Sequence, residues 1–266
     1  MPAAPDDPDH QTATWLAARL PPAGRVHPGE AQVRLGDARP GRRARLDALA
    51  RYLQDVAEDD AASADLDPQV GWVLRRTELH VERFPVLGEH LTLQTFCSAV
   101  GARWAERTTL LAGDRGGRVE ARAVWVALDL RRGTPTRLDE RFLAVYGPSA
   151  AGRRATLRLQ LPPPEPGDRA GARPWPLRRA DLDVWGHANN AVAWEAVEEV
   201  LGEHPPTPLR ALLEHPQALL PDQRPALLAR TRADALDVWL LDPASGQVLV
   251  AAQVAPAAAQ EARRPT

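Results

Sequence analysis

The stretch DLDVWGHANNAVAWEAVEE, residues 181–199, carries the only two asparagines of a 266-residue chain, Asn189 and Asn190. The chain has no Lys and no Ile and is heavy in Ala, Arg, Leu and Pro. Downstream of the asparagines, Ala193, Trp194, Val197, Val200 and Leu201 form one stripe, with Glu195, Glu198 and Glu199 off it. That spacing predicts an amphipathic helix. Asn is a favoured N-cap, so the pair marks the helix start. Upstream, Asp183 and His187 lie four residues apart, and Gly186 between them permits a tight turn.

The same layout occurs earlier. RLDALARYLQDVA, residues 45–57, places Leu46, Leu49, Leu53 and Val56 at helical spacing. Four strand-like runs follow it: GWVLRRTELHVERF, EHLTLQTFCSA, RWAERTTLLA and RVEARAVWVALDL. Four follow the second helix: PLRALLEHPQ, RPALLART, ALDVWLLD and QVLVAAQVA. Turn signals such as GDRGG and ASGQ separate them. Each half reads as one long helix followed by an antiparallel meander. The two bury each other's apolar faces, which is an α+β architecture. A single larger α+β domain with a long internal loop is the alternative.

LPPPEPGDRAGARPWP, residues 161–176, excludes a helix or central strand and divides the halves. The expected organisation is a loose segment at 1–28, a first domain at 29–150, a linker at 151–176, a second domain at 177–255 and a loose tail at 256–266.

Basic and acidic residues nearly balance, 33 against 35, and all the basic ones are Arg. Neither nucleic acid nor membrane is indicated as a partner. The seven His residues are scattered without ligand spacing, so no metal or other cofactor is expected. The N-terminus lacks secretion-signal features and no run is long enough to span a membrane, so a cytoplasmic location is expected. Cys97 is the only cysteine and reads as a buried small hydrophobe.

DLDVWGHANNAVAWEAVEE resembles the motif of the acyl-acyl carrier protein thioesterases of plant and bacterial type. RLDALARYLQDVAEDDA, GWVLRRTELHVERFPVLGEHLTLQTF and AVWVALDLRRGTPTRL are similar to that family's N-terminal half. The resemblance spans about residues 31–255. It implies a double hotdog fold, two tandem helix-plus-antiparallel-sheet repeats forming a pseudo-dimer. It also implies hydrolysis of the thioester between a fatty acyl chain and acyl carrier protein. An acyl-coenzyme A thioesterase and a non-catalytic acyl-binding hotdog protein are the alternatives.

Two departures from the plant pattern stand out. Trp185 occupies the place of an Asn between the Asp and the His, and an indole N–H donates but cannot accept a hydrogen bond. Ala218 and Leu219 occupy the places of a downstream Glu-Cys pair.

The surviving candidates are Asp183, as general base or nucleophile, His187, to orient water or polarise the carbonyl, and Asn189. Asp183 also suits a turn that bonds its own backbone. Free N–H groups and the positive end of the helix dipole would favour an oxyanion beside the Asn pair. Asn190, Trp185, Tyr52 and Trp72 are candidate substrate contacts, with Asp55 a further lining candidate. Asp37 precedes the first helix much as Asp183 precedes the second, and no His or Asn pair follows it. The first half is therefore expected to supply the acyl pocket. Acidic acyl carrier protein would favour a basic surface, with Arg42, Arg43, Arg45, Arg178 and Arg179 as candidates. A monomer and a homodimer are both compatible with a duplicated chain.

Overall fold

The computed structural model describes residues 8–232 and 234–257. Helix α1 covers Pro8–Ala17 and strand β1 His27–Gln32. The long helix α2, Leu46–Ser63, is followed by β2 (Val70–Arg83), β3 (His90–Val100), β4 (Trp104–Gly113) and β5 (Arg118–Asp129). A short β6 (Thr134–Pro135) and helix α3 (Glu140–Ala150) complete the first half. The second half comprises β7 (Arg173–Pro174), α4 (Asn190–Val200), β8 (Leu209–Glu214), β9 (Ala226–Thr231), β10 (Leu236–Leu241) and β11 (Val248–Pro256).

The strand order is β1-β3-β4-β5-β2-β8-β11-β10-β9-β7, with β6 on β5. Read outward from the centre in either direction, the two halves repeat one topology. One continuous antiparallel sheet results, joined edge to edge where β2 pairs with β8, for example Thr77 opposite Leu213. Joining the halves this way leaves neither β2 nor β8 as an open edge.

Both expected apolar stripes point into the core. Leu46, Leu49, Leu53 and Val56 of α2 are buried, as are Ala193, Trp194 and Val197 of α4. They share one cluster with Leu79, Leu111, Leu213, Val238 and Val254 from both parts of the sheet. At roughly 1.5–3 kcal/mol for each large apolar side chain buried, this shared core holds the two halves together. The fold is thus the expected double hotdog.

Three details differ from the sequence reading. The segment expected to be loose at 1–28 contains α1 and the start of β1. Leu16 is buried against Phe96 and Leu110, and the Trp15 indole N–H donates to Glu82. The 151–176 stretch is bound to the sheet. Arg76 donates to the carbonyls of Thr156 and Arg158, Glu214 accepts from the Gln160 and Leu161 N–H groups, and β7 pairs with β9. Helix α3 was not expected at all. Asp139 caps it by accepting from Phe142 N–H at 2.7 Å, which frees Phe142 and Tyr146 to stack one turn apart. Of the expected C-terminal tail, residues 258–266 lie outside the described residues.

Candidate active site

The site begins with a short turn ahead of α4. Arg178 N–H donates to Asp181, closing a single 3-10 turn at Arg179–Asp181. Leu182 and Ala188 then form an isolated antiparallel bridge, and Asp183 N–H donates to the His187 carbonyl at 2.8 Å. Gly186 N–H returns to the Asp183 carbonyl at 3.0 Å, and Gly186 has φ +77°, where a side chain would be strained. Asp183 Oδ1 accepts from the Trp185 and His187 N–H groups at 2.9 and 3.1 Å. Asp183 therefore makes the self-bonded turn that its sequence context allowed. Its other oxygen, Oδ2, accepts no hydrogen bond from the described residues. Asn189 is the N-cap of α4, with Oδ1 accepting from Ala191 N–H at 2.9 Å. Asn190 is the first helical residue.

The first half repeats the backbone bonds of this turn, without a counterpart to the Asp183 side-chain bonds or the Asn189 cap. Arg34 N–H donates to Asp37, Arg45 N–H to the Asp37 carbonyl, Arg39 N–H to the Arg43 carbonyl, and Arg42 N–H to the Arg39 carbonyl. Asp37 therefore corresponds to Asp181, whose carbonyl accepts from Asn189 N–H. Its matching with Asp183 in the sequence reading is corrected. Asp183, His187, Asn189 and Asn190 fall on Arg39, Arg43, Arg45 and Leu46. Arg39 and Arg43 are both closed down on Glu198 of α4, at 3.0 and 2.6 Å, and Glu198 also accepts from Leu46 N–H at 3.1 Å.

At the second turn a cavity of about 480 Å³ opens. Asp183, Val184, Trp185, Asn189 and Asn190 contribute to one part of its wall. Gln54, Ala57, Glu58 and Ala61 of α2 contribute another. Leu66, Trp72, Cys97, Ala105, Phe142 and Tyr146 form an apolar region from the first half. The motif from one half thus faces a wall from the other that is apolar around Trp72 and Phe142 and also includes Glu106 and Arg107. Trp72 lies 5.2 Å from Phe142, centroid to centroid.

Trp72, Asp183, Trp185, Asn189 and Asn190 meet at this cavity as the sequence suggested. Trp185 is 75% exposed and Val184 93%, so both project from the turn into solvent as they flank the opening. His187 is exposed on the same turn, and its ring does not line the cavity.

Tyr52 is a correction. It lies on another face of α2, where its hydroxyl donates to Asp37 Oδ2 at 2.8 Å, and it does not line the cavity. Burial and the Asp37 hydrogen bond push its ionisation up. Asp55 is exposed and also outside the cavity wall. Three of the five arginines expected on a basic surface are ion-paired within the chain. Arg43 is buried on Glu198, Arg45 pairs with Asp47, and Arg178 pairs with Asp181 and Glu195. Arg42, Arg178 and Arg179 remain exposed.

Cys97 lines the cavity but is buried, and burial pushes its thiol up to about 11, far from a thiolate nucleophile at neutral pH. Leu219 is buried and its carbonyl accepts from Ala188 N–H at 3.1 Å, so this segment does reach the motif turn. Its apolar side chain has no acid–base chemistry, and Ala218 is exposed. Phe142 and Tyr146 are site residues that the sequence reading missed. Their signal was Asp139 followed by aromatics three and seven residues later.

The acyl-ACP thioesterase N-terminal domain family matches residues 24–146. An uncharacterised protein of Mycobacterium tuberculosis is 33% identical over 174 residues, covering 64% of this chain and 69% of the relative. The chain belongs to the acyl-ACP thioesterase family. Solved structures agree in fold. The 12:0-ACP thioesterase from Umbellularia californica superposes with a TM-score of 0.73 at 19% identity, covering 88% of this chain and 97% of that one. An acyl-ACP thioesterase from Bacteroides thetaiotaomicron gives 0.70 at 15% identity, covering 86% and 97%. Within this acyl-ACP thioesterase family member, one motif turn faces an open cavity and its duplicate is sealed by an Arg-Glu-Arg cluster. Among the described residues no helix is long and apolar enough to cross a membrane.

Proposed function

We propose that this protein hydrolyses fatty acyl-ACP to free fatty acid and carrier protein at the cavity beneath the second motif turn. The observation that carries the reading is the composition of that cavity. Asp183, Asn189 and Asn190 come from the second half, and the apolar wall of Trp72, Leu66 and Phe142 comes from the first. A thioester needs a polar reaction centre continuous with an apolar slot for its chain. A single chain provides both, so the site is complete in a monomer.

Asp183 is assigned as general base. One oxygen is fixed by two backbone N–H groups, which leaves the other to take a proton from water. The start of the first turn of α4 is assigned as the oxyanion site, because the Asn190 N–H, unlike those of Ala191 and Val192, has no partner among the described residues and the helix dipole favours a developing negative charge. Asn189 holds that turn in place through its cap. His187, exposed on the same turn, is assigned to the departing thiol. A thiol with a pKa of about 8.5 leaves with little proton assistance, so His187 has the smaller share of the rate. Trp185 and Val184 flank the opening where the carrier arm enters. The balanced charge and the single buried thiol suit a reducing cytoplasm.

The test is release of free thiol from acyl-ACP and acyl-coenzyme A across chain lengths. Turnover on acyl-ACP supports the reading. A large preference for the coenzyme A ester replaces the carrier, and no turnover on either ester removes the reaction.

A further inference from the structure

The motif lacks an amide at Trp185 that could accept a hydrogen bond from a water. The fold supplies one from the other half. The two motif turns correspond position for position, and so do the helices that follow them. Leu46 of α2 corresponds to Asn190 of α4, which places Gln54 at the counterpart of Glu198. Glu198 reaches across the helix pair to the start of α2, accepting from Leu46 N–H and from Arg39 and Arg43. Gln54 reaches across in the opposite sense. It lines the catalytic cavity together with Asn190, and the two also meet in a second void of about 20 Å³.

Glu198 is saturated with partners, whereas Gln54 Oε1 is buried and accepts no hydrogen bond. Trp125 of β5 lines the same two spaces, and its indole N–H is also buried without a partner. Buried polar groups are nearly always satisfied, since leaving one unpaired costs about 1–3 kcal/mol. Here an orphan acceptor and an orphan donor belong to two side chains that line one cavity with the motif carboxylate, the atoms themselves lying just beneath its wall. A water has two hydrogens to donate and two lone pairs, so one admitted from the cavity as the Gln54 amide turns toward it would satisfy both groups at once.

We infer that Gln54 is a further catalytic residue, whose side-chain oxygen, with the Trp125 indole N–H, holds the attacking water against Asp183. Gln54 accepts one water O–H and Asp183 the other. Trp125 donates to one lone pair, and the second lone pair attacks. The water oxygen bonds to the thioester carbon, and its proton passes to Asp183. The C–S bond then breaks and the fatty acid is released, and the proton held by Asp183 passes by way of His187 to the departing thiolate, which restores the carboxylate. The α2 glutamine thereby does the orienting that Trp185 cannot do.

This inference rests on the hydrolase reading above. The experiment compares wild type, Gln54→Met, Gln54→Glu, Trp125→Phe and Asp183→Asn on acyl-ACP, recording kcat and KM separately, with thermal melting as a check on folding. Gln54→Met keeps the volume and removes the acceptor. Its kcat is expected to fall about 100-fold with KM within about threefold, the size of effect seen when one positioned polar group is removed. Gln54→Glu retains an acceptor oxygen and is expected to stay within about tenfold of wild type. Trp125→Phe is expected to fall about tenfold, and a variant that combines Gln54→Met with Trp125→Phe to lie little below Gln54→Met, because both groups hold one water. If Gln54→Met folds and keeps kcat within about threefold of an active wild type, the inference is overturned and the hydrolase reading stands. Should Gln54→Met not fold, unchanged kcat in Trp125→Phe overturns it equally. A wild type without turnover overturns both.

Discussion

The Glu198 carboxylate lies 3.1 Å from the backbone nitrogen of Leu46, so a residue of the second helix satisfies the first N–H of the other. The same carboxylate holds Arg43 at 2.6 Å and Arg39 at 3.0 Å, and all three side chains are largely buried. Removing Glu198 leaves two arginines without their carboxylate, each keeping one backbone carbonyl, and a helix start without its acceptor. Glu198→Ala is expected to lower unfolding free energy by about 3–5 kcal/mol, the range for breaking a buried ion pair. Urea denaturation measures it, and a loss below about 1 kcal/mol would mean the cluster is already well hydrated.

Asp183 has a structural and a proposed chemical part, and one substitution separates them. Asp183→Asn keeps Oδ1 for the Trp185 and His187 N–H groups and removes the carboxylate. Melting temperature is expected to hold while kcat falls about 10²–10⁴-fold, as for loss of a general base. His187→Ala is expected to fall less than Asp183→Asn on the same substrate.

Acidification is expected to destabilise the fold before its carboxylates titrate. Burial, with Arg75 nearby, pushes His215 down to about 4 from 6.5. The unfolded chain therefore binds a proton that the folded chain refuses between those values. Stability is fully present above about pH 6.5 and declines as pH falls toward about 4, by about 3 kcal/mol in all. Asp60 acts lower on the scale. Burial alone would raise its pKa, but Arg107, Arg25 and the Tyr146 hydroxyl hold it below the ordinary value. Its contribution is present above that ordinary value and is lost as pH falls through the lowered one. Denaturation midpoints of wild type and His215→Phe at about pH 7 and about pH 4.5 test this, since the variant should lose the His215 part of the decline. An identical decline in both proteins would assign the effect elsewhere.

Acyl-length preference should be adjustable at Phe142. Leu66, Trp72 and Phe142 line both the main cavity and a small void of about 20 Å³ that extends to Ala127 and Leu138. Phe142→Leu thins this partition and should move the preferred substrate to a longer chain, at a stability loss of about 1–3 kcal/mol. A panel of acyl-ACP lengths reads the shift, and an unchanged profile would place the end of the acyl slot elsewhere.

Much of this architecture was legible in the sequence. The stripes Leu46-Leu49-Leu53-Val56 and Ala193-Trp194-Val197 define the core faces of both long helices, and the Asn pair marks the start of α4. Less was legible where tertiary packing overrides local pattern. Strand β1, HPGEAQ, lacks apolar alternation and is held by its pairing with β3. Helix α1 lies in a Pro- and Asp-rich segment and docks through Trp15 and Leu16. At the site, periodicity identifies α2 but not which polar face meets the second half. Tyr52 and Gln54 are two residues apart, yet only Gln54 reaches the cavity. The correspondence of Asp37 with Asp181 was likewise hidden, because it lies in backbone hydrogen bonds and not in the residues flanking them.

The most direct test is the initial rate of free-thiol release from a series of acyl-ACP substrates, with wild type and Asp183→Asn side by side. The account predicts turnover by wild type, a maximum at one range of chain length, and near-complete loss of kcat in a variant that melts like wild type. An Asp183→Asn protein as active as wild type, or a folded wild type that releases no thiol from any acyl-ACP, would contradict it.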